Sequence, residues 1–166
     1  MATSLTRRRL LQGRLDAHPA VRPPWAVAGF HERCNRCLDC LPACPEGILQ
    51  RGDGGFPTVD FRRGECTFCG DCVRACTPGA LRRAAADTPP WALLAQVGDG
   101  CLEASGVHCH ACIDPCPHAA IGFAPAARPG ALPRVDALRC SGCGACVAAC
   151  PGAAIRIAAP AREVAA

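Results

Sequence analysis

The sequence predicts an α+β fold made of two tandem units, each with short strands and short helices. The first observation is that all sixteen cysteines fall into four similar motifs along 166 residues. The second is that a strand-like stretch ending in a Val-Asp pair precedes only the second and fourth motifs, at Val59-Asp60 and Val135-Asp136. The third is a linker with Pro89 and Pro90 between the second and third motifs. The repeat therefore has a period of two motifs.

The spacing within the motifs indicates the chemistry of the thiols. Motifs one, two and four have the C-x2-C-x2-C-x3-C spacing of bacterial 4Fe–4S ferredoxins. Motif three has seven residues between its first two cysteines instead of two. Sixteen thiols match the ligands of up to four [4Fe-4S] clusters per chain, three of them at conventional motifs. The candidate ligands are Cys34, Cys37, Cys40 and Cys44 in motif one, Cys66, Cys69, Cys72 and Cys76 in motif two, Cys101, Cys109, Cys112 and Cys116 in motif three, and Cys140, Cys143, Cys146 and Cys150 in motif four.

Two other uses of cysteine fit this pattern less well. Structural zinc sites use paired C-x2-C units separated by a longer loop, without a third and fourth cysteine following at once. Disulfides require an oxidising compartment, and cysteines three residues apart on a tight loop pair poorly with one another. The pattern favours two bacterial-type two-cluster ferredoxin units in tandem.

In such units the fourth cysteine of each motif binds the other cluster. This exchange rule predicts four groups, which are Cys34, Cys37, Cys40 with Cys76; Cys66, Cys69, Cys72 with Cys44; Cys101, Cys109, Cys112 with Cys150; and Cys140, Cys143, Cys146 with Cys116. A nested arrangement, in which motif one pairs with motif four and motif two with motif three, uses the same sixteen thiols and remains open.

The predicted organisation follows the chain in order. Residues 1–30 form a flexible basic arm, 31–86 the first unit, 87–97 a linker and 98–166 the second unit. Short helices are expected at 39–44, 71–76, 111–116 and 145–150, after the third cysteine of each motif or on either side of it. Residues 91–97 of the linker are a further helix candidate, because an apolar run follows the Pro89-Pro90 breaker. Gly70, Gly142 and Gly144 lie in the binding loops, where backbone N–H groups can approach cluster sulfurs.

Composition excludes several functions. All eighteen basic residues are arginine, scattered without the aromatic-interleaved basic stripe of a nucleic-acid-binding protein. No apolar run approaches the roughly 20 residues that span a bilayer. The segment after Arg7, Arg8 and Arg9 lacks the apolar stretch of an export signal, so a cytoplasmic location is expected. No nucleophile–base constellation, phosphate loop or dinucleotide fingerprint is present, and we expect no enzymatic activity.

Two local features have both a plain and a functional interpretation. The insertion of motif three is either a neutral loop or the mark of a more labile cluster, and the flanking His108 and His110 are expected to be solvated. The segment Arg22, Pro23, Pro24 and Trp25 is a candidate partner-binding site, because an exposed Trp beside prolines makes an effective anchor.

The chain resembles the NapF family, the ferredoxin-type accessory proteins of periplasmic nitrate reductase systems. The resemblance rests on the start "RRRLLQGR", on "VRPPWA", on "ILQRGDGGFPTVDF" and on the stretched motif "VGDGCLEASGVHCHACIDPC". The cysteine spacing alone would fit many ferredoxins, and these intervening segments are more specific.

The resemblance implies a cytoplasmic protein without catalytic activity that binds the catalytic-subunit precursor of the periplasmic nitrate reductase. It implies further that the protein assists the precursor's maturation, through iron–sulfur cluster assembly, before export. The sixteen cysteines carry over as cluster ligands. The alternative is an electron-transfer ferredoxin, or the electron-transfer subunit of a larger redox complex. The sequence leaves self-association open.

Overall fold

The computed structural model describes residues 20–124 and 130–160. As expected for an α+β protein of this kind, every regular element in these residues is short. The helices are α1 (Phe30–Arg33), α2 (Asp71–Arg74) and α3 (Ala145–Ala148). The strands are β1 (Leu49–Arg51), β2 (Pro57–Val59), β3 (Leu94–Val97), β4 (Ile121–Gly122), β5 (Arg134–Val135) and β6 (Ile155–Ala158).

In each half, one antiparallel hairpin connects the two motifs. Strand β1 pairs with β2, and β4 pairs with β5. The Asp after each second strand donates its N–H across the hairpin over 2.8 Å, from Asp60 to Ile48 and from Asp136 to Ala120. The Val-Asp pairs singled out in the sequence therefore occupy equivalent places, and the structure repeats every two motifs.

A second type of pairing closes each half. Strand β3, before motif three, pairs antiparallel with β6, after motif four, with Val97 opposite Ile155. In the first half a single antiparallel bridge between Ala26 and Leu81 connects the same two places. In each half, the segment before the first motif therefore pairs with the segment after the second motif.

The helix expected at residues 91–97 was wrong, because Leu94–Val97 is strand β3. A short apolar run cannot be assigned to helix or strand from periodicity alone. Here β6 provides the partner, and its Ile155 and Ile157 are both buried. The distant pairing therefore decides the conformation of this segment.

Two of the four helices expected around the third cysteines also proved wrong. The expected segments 71–76 and 145–150 contain α2 and α3, whereas 39–44 and 111–116 form turns. Pro42 occupies the position where α2 has Arg74, whose N–H donates to Gly70 over 3.1 Å, and Pro115 occupies the position of Ala75, whose N–H donates to Asp71 over 3.0 Å. Because proline has no N–H to donate, one helical hydrogen bond is missing from each of motifs one and three.

The expectation of a flexible arm over residues 1–30 is corrected for residues 20–30, and residues 1–19 lie outside the described residues. Trp25 is only 5% exposed and Pro23 is fully buried. The Trp25 indole N–H donates to the carbonyl of Thr88, and its backbone N–H to Pro90. Pro23, Pro24 and Trp25 are therefore packed inside the protein rather than offered as an exposed anchor, and only Arg22 of this candidate site is exposed.

The core combines aliphatic side chains with cysteines. Buried Ile48, Leu49 and Leu81 of the first half and Ile155 and Ile157 of the second belong to one continuous hydrophobic cluster. The third cysteine of every motif lies in the same cluster, and these are Cys40, Cys72, Cys112 and Cys146. The thiols consequently occupy positions that apolar side chains fill in other small domains.

Candidate metal centres

The binding loops of motifs one, two and four share an unusual backbone. The residues directly before and after the second cysteine all have positive φ; they are Arg36 and Leu38, Phe68 and Gly70, and Gly142 and Gly144. Left-handed residues on both sides of one cysteine curl the chain tightly around it. His108 and His110, the corresponding residues of motif three, are not among the positive-φ residues, so the stretched motif forms its loop differently.

The fourth cysteine begins the same type of turn in all four motifs. Its carbonyl accepts the N–H of the residue three positions later, which has a positive φ; these residues are Gly47, Gly79, Ala119 and Ala153. In three motifs the fourth sulfur also accepts a backbone N–H at 3.3 Å, from Leu81 to Cys76, Ala120 to Cys116 and Ala154 to Cys150. Such N–H···S bonds orient a thiolate ligand and tune an attached cluster.

Three open cavities are each lined by four cysteines from two motifs. The first cavity is lined by Cys34, Cys37, Cys40 and Cys76. The second is lined by Cys44, Cys66, Cys69 and Cys72. The third is lined by Cys116, Cys140, Cys143 and Cys146. We call these groups one, two and four, after the motif that contributes three thiols.

Group three is visible from the surroundings of Cys112. Burial raises the pKa of Cys112, and three neighbouring thiols raise it further, namely Cys150, Cys101 and Cys109. All four groups thus contain the fourth cysteine of the other motif in the same half. The structure brings together the thiols that the exchange rule groups, and not those of the nested arrangement.

The third cysteine of each motif resists ionisation without metal. Burial, with smaller effects of neighbouring thiols, raises the pKa of Cys40 and Cys112 to about 11 and that of Cys72 and Cys146 to about 12. Burial likewise raises the pKa of Cys66 to about 11. A bound metal deprotonates its thiol ligands, so filling these groups would release protons and replace buried thiols with metal–thiolate bonds.

The donor set fits iron–sulfur cubanes. Soft thiolates select Fe–S clusters, zinc or copper(I), and a cubane takes one thiolate at each of four separate iron corners. Within residues 20–124 and 130–160, no group of three or more His, Cys, Asp or Glu side chains is arranged to hold a single metal ion. Four thiols from two motifs that line one apolar cavity suit a cubane.

Motif three differs from the others in the contacts of its insertion. His108 and His110 have side chains 91% and 60% exposed, which confirms that they are solvated. Glu103, in a 3₁₀ turn at Leu102–Ser105, is buried, and its carboxylate accepts the backbone N–H of Cys109 at 2.7 Å. Sequence reasoning missed Glu103, because an acidic residue in an insertion is ordinarily on the surface.

The two halves meet directly at groups two and four. The Cys66 N–H donates to the carbonyl of Cys143 over 2.8 Å, and the Trp91 indole N–H donates to Ser141 over 3.0 Å. Phe61 packs over Gly144 so closely that a Cβ there would overlap its ring. Gly144 is thus needed for the approach of the first half as well as for its positive φ.

Thiols of different groups that lie near each other show which groups are neighbours. Burial and nearby thiols raise the pKa of Cys72, and Cys40 of group one is among those thiols. After burial, Cys143 of group four is among the thiols that raise the pKa of Cys66, and Cys112 of group three is among those that raise the pKa of Cys146. The groups are therefore linked as one, two, four and three.

No helix in the part of the chain that the structure describes has the length and apolar character needed to cross a membrane.

Comparisons with known proteins place this architecture in a family. A model of the 4Fe–4S dicluster domain matches residues 33–80 and 107–154, more than half of the chain and all its cysteines except Cys101. The ferredoxin-type protein NapF of Escherichia coli K12 is 40% identical over 146 residues, which cover 86% of this chain and 88% of that protein. The ferredoxin-type protein NapF of Haemophilus influenzae is 40% identical over 153 residues, covering 84% and 86%. The chain carries [4Fe-4S] cluster domains in tandem and belongs to the ferredoxin-type NapF family.

Proposed function

We propose that this protein is a cytoplasmic iron–sulfur accessory protein that binds the catalytic-subunit precursor of a periplasmic nitrate reductase. It assists iron–sulfur cluster assembly in that precursor before export. The observation that carries this proposal is the extent of the similarity to NapF proteins, which reaches 86% of the chain. The two dicluster domains occupy only residues 33–80 and 107–154, so the similarity extends beyond the cluster domains.

The sixteen cysteines are the proposed cluster ligands, in the four groups described above. A bound [4Fe-4S] cluster supplies one-electron redox chemistry and, where it is held loosely, iron and sulfide. The protein contributes buried thiols, N–H···S bonds and tightly curled loops. All sixteen cysteines are unpaired, which suits a reducing cytoplasm.

The protein is proposed not to be an enzyme. Each of the three cavities described above is lined by a complete group of four cysteines. The thiols that line these cavities suit metal ligation.

Anaerobic co-purification with the reductase precursor tests the assembly role. We expect the cluster-loaded protein to form a cytoplasmic complex in which the precursor gains iron and sulfide. The matched control is protein depleted of clusters by a chelator and repurified. Retention of the precursor without any gain of iron would contradict cluster assembly, and a lack of any complex would contradict the proposed partner.

The contact between groups two and four favours electron transfer as a second candidate function. The Cys66–Cys143 hydrogen bond joins the loops of groups two and four, so the four proposed clusters follow one another through both halves. If the protein acts as a carrier, its loss would leave the precursor fully metallated but stop electron delivery. Metal content and electron flux, measured in the same deletion strain, separate the two functions.

A further inference from the structure

Glu103 is the one buried polar or charged residue among the residues that the structure describes. It lies among the seven residues between Cys101 and Cys109, where the other motifs have two, and its side chain is only 8% exposed. A carboxylate so removed from water is costly unless it is paired and hydrogen-bonded. Its burial therefore calls for a specific partner.

The partners of Glu103 surround one cysteine. Its Oε1 accepts the backbone N–H of Cys109 at 2.7 Å. The same oxygen lies 3.7 Å from His108 Nδ1 and 3.7 Å from His110 Nε2. The carboxylate thus anchors the loop through the Cys109 N–H, and the two exposed histidine side chains lie near it beyond hydrogen-bond distance.

Motif one contains the neutral counterpart of this contact. The N–H of Cys37, also a second cysteine, donates to Asn35 Oδ1 at 3.2 Å in an exposed place. The first motif of each half thus directs this N–H to a side-chain oxygen. The oxygen is a solvated amide in motif one and a buried carboxylate in motif three.

A negative charge and a diverted N–H have the same effect on a cluster. Hydrogen bonds to cluster sulfurs and low net negative charge both favour the reduced state. At Cys109 the N–H points to Glu103 instead, and the carboxylate adds charge where little water screens it. Both effects oppose the addition of an electron to group three.

We propose that Glu103 is a positioning residue that holds the loop at Cys109 and lowers the reduction potential of group three. This inference rests on the proposed cysteine ligands. A lower potential makes an electron harder to add to group three and easier to remove from it, and group three lies at one end of the order of groups.

A redox titration of the anaerobic holoprotein, followed by electron paramagnetic resonance at one fixed pH, tests this role. Glu103→Gln keeps an acceptor oxygen and removes the charge, so we expect one reduction step to shift upward and the others to stay. Asn35→Asp brings a carboxylate to the equivalent place in motif one, and we expect one step to shift downward. Asp99→Asn removes an exposed carboxylate two residues before Cys101, and no step should move.

Iron retention supplies a second measurement. Glu103→Ala removes the acceptor, and we expect faster iron loss to a chelator that Glu103→Gln largely prevents. Four bound clusters with unchanged potentials in Glu103→Gln would overturn the role of Glu103 and leave the ligand assignment intact. If Cys109→Ser contains as much iron as the parent protein, the ligand assignment is overturned, and the role of Glu103 with it.

Discussion

The N–H of Cys66 donates to the carbonyl of Cys143 over 2.8 Å, so the first cysteine of motif two touches the second cysteine of motif four. This contact joins two units that each enclose their own pair of thiol groups. Phe61 and Trp91, whose ring centroids are 5.8 Å apart, pack beside it. We therefore expect a change in one half to affect the other through the loops that surround groups two and four.

Gly144 tests this contact because Gly70 is its counterpart in motif two. Both have a positive φ, of 88° and 81°, but a Cβ on Gly144 overlaps Phe61 whereas the nearest atom to one on Gly70 is 3.7 Å away. Alanine at a left-handed position costs about 1–3 kcal/mol from backbone strain. We expect Gly70→Ala to lower the thermal unfolding temperature by that effect alone and Gly144→Ala to lower it further. Partial rescue of Gly144→Ala by Phe61→Leu would assign the difference to the clash, and equal losses in both glycine variants would contradict it.

Exchange of the fourth cysteines is accessible to double-mutant cycles. If Cys34 and Cys76 belong to one group, Cys34→Ser with Cys76→Ser should lose no more iron than either single variant. Cys66→Ser with Cys76→Ser should lose iron additively, because these thiols lie in different groups. Iron and acid-labile sulfide per chain, measured anaerobically, give the answer. The opposite pattern would mean that each motif binds its own cluster.

Trp25 and Arg22 separate a structural from a partner-binding role. Trp25→Ala removes a buried side chain and should destabilise the protein by about 3–5 kcal/mol. Arg22 is exposed and lies 5.7 Å from the Phe30 ring centre, so Arg22→Ala should cost no more than about 0.5–1 kcal/mol. Chemical denaturation gives these values. A loss of precursor binding by Arg22→Ala at unchanged stability would restore this segment as a docking site through its arginine.

Removal of the clusters should unfold most of the chain. The helices have four residues and the strands two to four, which are too short to persist alone. The core contains the third cysteine of every motif, so metal loss leaves unfilled, cysteine-lined cavities next to the core. We expect far-UV circular dichroism to show collapse of regular structure after chelation, and recovery after anaerobic reconstitution. A spectrum unchanged by chelation would show that packing alone maintains the fold.

The sequence was sufficient to predict the parts of the fold that depend on local chemistry. Cysteine spacing indicated the groups of thiols, and the Val-Asp pairs located the hairpins at Asp60 and Asp136. The helices expected in motifs one and three were ruled out by Pro42 and Pro115, a local signal that was present but not used.

The remaining features depend on contacts between distant parts of the chain. Strand β3 exists because β6 lies beside it, and Trp25 is buried because Thr88 and Pro90 accept its hydrogen bonds. Gly144 accommodates Phe61, and Glu103 is buried because the insertion folds back toward Cys109. For strand β3, Trp25 and Gly144 no short window of sequence contains the partner, whereas Cys109 lies only six residues from Glu103.

The exchanged cysteines also have a consequence for the order of events during synthesis on the ribosome. Group one needs Cys76 and group two needs Cys44, so neither set of ligands is complete until motif two has been translated. Both are then complete before Cys101 is made. A nascent chain can therefore acquire its first pair of cubanes together and its second pair later, in two loading events rather than four.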